Sequence, residues 1–130
     1  MRLQIIPPNV HAAIDYAAAP ALVAAPKLLR LEPDSAAARA PRLAGGLLGL
    51  LTPVTDTPLA ARRWIPMRAH LAVDALTGVA VAAVPWVTGQ RRRGVRYWLP
   101  HALVGANEIG MALMTRREQP RRRLRRLLRR

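Results

Sequence analysis

The chain has 130 residues, enough for one domain, and 52% of them are apolar although the formal charge is +14. Nine of its 21 basic residues fall within positions 116–130, so the charge belongs largely to a tail on an apolar body. Cysteine is absent, which excludes disulfides, thiolate metal sites and thiol catalysis and leaves the redox compartment open.

The N-terminus imitates a secretory signal, with Arg2, an apolar run and the small-residue stretch "ALVAAP". Pro7, Pro8, His11 and Asp15 interrupt that run. An internal repeat argues against a signal more strongly. Adding 59 carries Ile6 and Pro7 to Ile65 and Pro66, His11 to His70, Asp15 to Asp74, Pro26 to Pro85, Pro41 to Pro100 and Gly46 to Gly105. Self-similarity at one spacing sets the architecture. Two tandem helix hairpins are expected, over 1–58 and 59–117, with an Arg-rich tail over 118–130.

In chain order, a proline opens the first helix, where its missing N–H costs nothing. Residues 3–26 carry one charge, Asp15. After the polar link "KLLRLEPDS", a second helix starts near Pro41 and ends at "LLTPVTD". Arg39 and Arg42 leave only Leu43 to Thr55 uncharged there, unless both side chains snorkel to an interface. The third helix lies within residues 69–90, where Asp74 is the sole charge. After "TGQRRRGVR", a fourth starts near Pro100, and Glu108 is the only charge within residues 97–115. A bilayer core of ~30 Å needs about 20 largely apolar residues. "HLAVDALTGVAVAAVPWVTG" has no polar stripe of the kind a soluble bundle requires. The expected fold is therefore all-α, a bundle of four transmembrane helices.

Four spans put both termini on one side, with Arg2, Arg62, Arg63, Arg68 and the tail. The positive-inside rule assigns that side to the cytoplasm. Heavy use of Ala and Arg without Phe fits the drift of a GC-rich bacterial genome and carries no function. Four spans with cytoplasmic termini make the expected location a bacterial inner membrane, multi-pass. Trp64, Trp86, Tyr97 and Trp98 fall at span ends, where aromatic belts sit.

In "VPWVTG" (Val84 to Gly89), Pro-Trp closes the first helix of the second pair. A helix pair repeated twice with this closure resembles the SPW-repeat family of small bacterial integral membrane proteins, over about Ile5 to Thr115. Val84 stands in the Ser position, and the first copy reads Ala25-Pro26-Lys27 without Trp. The resemblance implies architecture and membrane location, and it brings no activity with it.

His11 and Asp15 lie four residues apart, as do His70 and Asp74, so each pair shares one helix face. The two units have the same topology, so both pairs lie at one level of the bundle. An ionisable group at that depth must be hydrated, paired or neutral. Three readings stand side by side. Each Asp could accept a hydrogen bond from a His, from a helix N-terminus, or from Tyr16 or Asn107, locking the first and third helices together. The two His and two Asp could hold a divalent metal, or the two His a haem iron. Together with Asn107 and Glu108 they could also relay protons or ions. The structural reading leads, and no cofactor and no catalytic constellation are expected.

Gly45, Gly46 and Gly49 in the second helix and Gly105 in the fourth are candidates for close helix packing. The tail residues Arg121, Arg122, Arg123, Arg125, Arg126, Arg129 and Arg130 surround an apolar face of Leu124, Leu127 and Leu128. That pattern suits anionic lipid headgroups or an acidic partner subunit. Nucleic acid is disfavoured, since no aromatic residue in the tail can stack on bases. The expected role is non-enzymatic, a structural or accessory subunit of a larger membrane complex. The alternative is a small proton or ion carrier.

Overall fold

The computed structural model describes residues 4–117. These form four α-helices: α1 (Pro8–Leu28), α2 (Ala36–Leu51), α3 (Met67–Val87) and α4 (Leu99–Met114). Short 3-10 turns follow α2 (Thr52–Val54) and precede α4 (Gln90–Arg93 and Val95–Tyr97). The all-helical expectation holds for the described residues, and the predicted tail lies outside them.

Helices α1 and α3 are built alike. Each has 21 residues and a proline as N-cap, Pro7 and Pro66. Each ends two residues after a buried proline, Pro26 and Pro85. The chain then leaves through a residue in the left-handed region, Arg30 (φ 53°) after α1 and Gly89 (φ 71°) after α3. Glycine takes that conformation freely, while an L-residue with a Cβ is disfavoured there.

Helix α2 starts earlier than Pro41. Ser35 caps it, its hydroxyl accepting from Ala38 N, which places Pro41 inside the helix. A proline has no N–H for the carbonyl four residues back, here Ala37. That carbonyl is taken instead by His101 Nε2 of α4 at 2.7 Å. The Ala37 N–H is bonded to Gln90 Oε1 at 2.8 Å. Both backbone groups of a fully buried residue are thereby satisfied from the second half of the chain.

The closest helix pairs are α3 with α4 and α1 with α2, followed by α2 with α3. Small residues permit the two hairpin contacts. A Cβ on Gly45 would lie 2.6 Å from Ala19 O, and one on Gly105 would lie 2.5 Å from Gly78 O. Gly49 is in ordinary contact range of Ala19, and a Cβ on Gly46 would meet nothing within 4 Å. Gly45, not Gly46, thus occupies the position equivalent to Gly105. The second helices correspond one residue out of the spacing that aligns α1 with α3.

The ends are tied crosswise. Ile6 N donates to Met114 O, and Arg116 N to Ile6 O, bridging the start of the first half to the end of the second. Ile65 N donates to Val54 O, and Asp56 N to Ile65 O, making the matching bridge at the other junction. Both ends of the described chain lie together.

The interior mixes polar and apolar side chains, and many large apolar ones lie outside. The largest fully buried side chains are histidines, threonines and prolines, His11, His70, Thr55 and Thr115 among them. Leu43, Leu50, Leu76, Leu103 and Leu113 are exposed. The apolar interior is made of small contacts, Ala19 and Leu22 of α1 against Ala44 and Leu48 of α2, with Val81 of α3. One expectation about the aromatics fails. Tyr97 is no belt residue: it is buried with Leu31, Ala37 and Ala38, its hydroxyl accepting from Glu32 N. The guanidinium groups of Arg93 and Arg96 cover its ring.

The span lengths also differ from the expectation. Only α3, among the described residues, is long and apolar enough to cross a membrane by length and composition. Helices α2 and α4 have 16 residues each, roughly 24 Å of helix. Helices α2 and α4 are shortened where 3-10 turns border them, whereas α1, as long as α3, falls short in hydropathy. Arg39 and Arg42 reach back toward the link, to Asp34 and to Pro33 O respectively.

A candidate His/Asp site between the repeats

His11 and Asp15 project from the second and third turns of α1, and His70 and Asp74 from the same turns of α3. The two pairs meet in the bundle interior, each residue 5% exposed or less. His11 Nε2 lies 3.1 Å from Asp74 Oδ2 and 3.4 Å from Asp15 Oδ2. His70 Nε2 lies 3.1 Å from Asp15 Oδ2 and 3.3 Å from Asp74 Oδ2. Each imidazole therefore faces the carboxylate of its own helix and that of the other helix, and the four groups alternate around a ring. The imidazole planes stand nearly perpendicular, at 81°, with centroids 5.5 Å apart.

The far side of each imidazole fixes its tautomer. Thr115 Oγ1 lies 2.7 Å from His11 Nδ1, and Thr55 Oγ1 lies 2.8 Å from His70 Nδ1. Each threonine hydroxyl already donates to the carbonyl one turn back, Met111 O or Leu51 O, at 2.7 Å. A hydroxyl has a single hydrogen to give. It must therefore accept from the histidine, and Nδ1 carries the proton in both rings. What remains toward the carboxylates is Nε2, either protonated or presenting a lone pair. A lone pair against a carboxylate oxygen at these distances is repulsive. Each short N–O contact thus calls for a hydrogen between its two atoms, carried by nitrogen or by carboxyl, or for a cation at the centre of the ring.

The crosswise bridges position these threonines. Thr115 is held beside His11 by the Ile6 tie, and Thr55 beside His70 by the Ile65 tie. Thr52 adds a long contact, its hydroxyl 3.5 Å from Asp15 Oδ2.

The other sequence candidates lie elsewhere. Tyr16 donates to Leu59 O rather than to either Asp. Asn107 lines a groove of about 350 Å³ between α1 and α4, with Ala18, Ala21, Leu103 and Glu108. Glu108 also borders a gap of about 10 Å³, the size of one water, whose wall includes Asp74. A haem does not fit between the two histidines, because carboxylate oxygens within 3.4 Å flank each Nε2 and leave no plane for a macrocycle. The Arg residues of the tail, from Arg121 onward, fall outside the described residues.

Three contributors escaped sequence reasoning: Thr55, Thr115 and His101. The threonines follow the second helix of each half and are themselves sixty positions apart. A repeat alignment that admitted a one-residue slip would have paired them. His101 had a weaker signal, a histidine directly after the landmark Pro100.

The family model of the SPW repeat domain matches residues 9–115. The chain belongs to the SPW repeat family. No curated protein matches it, and no solved structure does. The SPW match begins two residues before His11 and ends on Thr115, so it encloses the whole polar ring. In this SPW chain the motif reads Val84-Pro85-Trp86. Pro85 is buried, Trp86 packs edge-on against Trp98 at 5.9 Å, and Val84 O accepts from both the amide and the hydroxyl of Thr88.

Proposed function

We propose that this chain is a small non-enzymatic integral membrane protein, two tandem hairpins crossing the bilayer four times, acting as a structural or accessory subunit of a larger assembly. One observation carries the membrane reading: a layer of buried His, Asp and Thr lies inside the bundle while many large apolar side chains, leucines above all, face outward. Water rewards the opposite arrangement, and a bilayer rewards this one. Arg39 and Arg42 reaching toward the link supports snorkelling at the start of the short second span. The basic residues beside the paired chain ends support a cytoplasmic side for them, in a bacterial inner membrane.

The accessory role rests on the groove between α1 and α4. Its wall is mostly Ala, Leu and Val, but it includes the Glu108 carboxyl and the Asn107 amide. Such groups are costly facing lipid. A partner's transmembrane helix with a hydrogen-bonding residue would cover both. A different observation favours the carrier reading: Glu108 borders both the groove and the small gap beside Asp74, so carboxylates lie stepwise between the outside and the ring.

Gentle detergent extraction from the native membrane tests the proposal. Recovery in a particle with partners in fixed ratio is expected, with Glu108→Leu weakening that association. Recovery alone, together with proton flux in vesicles lost on Glu108→Gln, would favour the carrier. The native chain lacks cysteine, so Arg62→Cys and Arg92→Cys report topology directly. Labelling from opposite sides of the membrane is expected.

A further inference from the structure

We infer that His11, His70, Asp15 and Asp74 form a binding site for one divalent transition-metal ion, best matched by zinc, which staples the two repeats together. The inference does not depend on whether the protein is a subunit or a carrier.

Three independent features point to it. The first is spacing. A tetrahedral ion with bonds of roughly 2.0–2.1 Å to imidazole nitrogen and carboxylate oxygen holds neighbouring ligand atoms roughly 3.3–3.4 Å apart. The four N–O separations around this ring are 3.1, 3.4, 3.1 and 3.3 Å. Ligand atoms of His11, His70 and Asp15 all lie within 4.8 Å of one another. Asp74 stands outside that trio but lies within 3.3 Å of both histidines, so it is the fourth ligand at hand. The four N–O edges of the ring thus already have the spacing such an ion imposes, and binding would draw Asp74 in to complete the shell.

The second feature is an orphaned atom. His70 Nε2 is buried and makes no hydrogen bond, although two carboxylate oxygens lie close by. Its N–H direction meets neither of them well enough. A ring nitrogen aimed between two carboxylates is poorly used as a hydrogen-bond donor and well used as a ligand.

The third feature is the support behind the ligands. Metal-binding histidines characteristically donate their other N–H to an oxygen that fixes ring and tautomer. Thr115 and Thr55 do this for His11 and His70, and each hydroxyl is itself anchored on a backbone carbonyl. The tautomer this enforces directs a lone pair from each neutral Nε2 into the ring. Two neutral imidazoles, two carboxylates and a divalent ion sum to zero charge, which suits a buried site. On binding, the ion takes the place of any Nε2 protons, which leave to solvent. Mixed nitrogen and oxygen ligands in a four-coordinate shell favour zinc over magnesium or calcium. With all four positions filled by side chains, the site is closed, as structural zinc sites are.

The full chain is purified in detergent, stripped with a chelator and titrated separately with Zn²⁺ and Co²⁺. The expected result is one ion per chain, a tetrahedral Co²⁺ absorption band that Zn²⁺ displaces, and a thermal midpoint that falls on stripping and recovers with Zn²⁺. Asp15→Asn and Asp74→Asn should abolish the Co²⁺ band. Thr55→Val should weaken affinity ~10–100-fold while keeping the ligands. The site is refuted if the folded wild-type chain takes up no stoichiometric zinc and its midpoint ignores chelator. It is equally refuted if uptake and spectrum survive in both Asn variants. The wild-type titration needs no variant to fold.

Discussion

At Thr115 one hydroxyl is committed twice, donating to Met111 O and accepting from His11 Nδ1. Thr115→Val keeps the shape and strands a buried N–H. The expected cost is ~1–3 kcal/mol, read as a lower thermal midpoint in detergent, with Thr55→Val behaving alike. Glycines give a sharper contrast at the same scale. Gly45→Ala drives a Cβ into the Ala19 carbonyl and should cost ~1–3 kcal/mol. Gly46→Ala enters open space within the same helix and should gain ~0.5–1 kcal/mol, because glycine loses more backbone freedom on folding. Equal midpoints for the two variants would refute the assignment of Gly45 to the helix contact.

At the scale of elements, the ends of α1 and α3 solve one problem with different residues. Arg30 sits at φ 53° where the other half has Gly89 at φ 71°. Arg30→Gly should therefore stabilise the chain by about 1 kcal/mol, through relief of left-handed strain. Pro41 and His101 are coupled across α2 and α4 by the Ala37 carbonyl. His101→Leu should cost ~1–3 kcal/mol by leaving that oxygen unpaired. In a Pro41→Ala background, the restored N–H can take the same oxygen and the cost should shrink. A double-mutant cycle measures this coupling, and additive effects would argue against it.

The whole molecule is closed by features that neither half holds alone. Each imidazole faces carboxylates from both halves, and His11 leans on a threonine over one hundred positions away. Fragments 1–58 and 59–130, coexpressed, should copurify as a folded pair, whereas either expressed alone should be degraded or aggregate. Asp15→Asn with Asp74→Asn should lower recovery of the pair, since the ring then loses both buried charges. Undiminished recovery would mean that helix packing alone holds the halves.

The sequence by itself determined an all-helical chain of four helices, and it singled out His11, Asp15, His70 and Asp74 as the ionisable residues on otherwise apolar faces. Prolines and apolar runs are local signals, and a His and an Asp one turn apart stand out on an apolar face. It misjudged the start of α2, because a Ser35 cap outweighs Pro41 once His101 supplies the missing hydrogen bond. It also misjudged Tyr97, since its side chain is buried by a turn whose geometry comes from Gly89 and Gly94 at positive φ. The tertiary structure alone decided that the two pairs alternate around a common centre, that threonines set both tautomers, and that Asn107 lines an outer groove while Glu108 borders both that groove and the gap beside Asp74. Those facts depend on which atoms converge from distant parts of the chain, and spacing along one strand of sequence carries no record of that convergence.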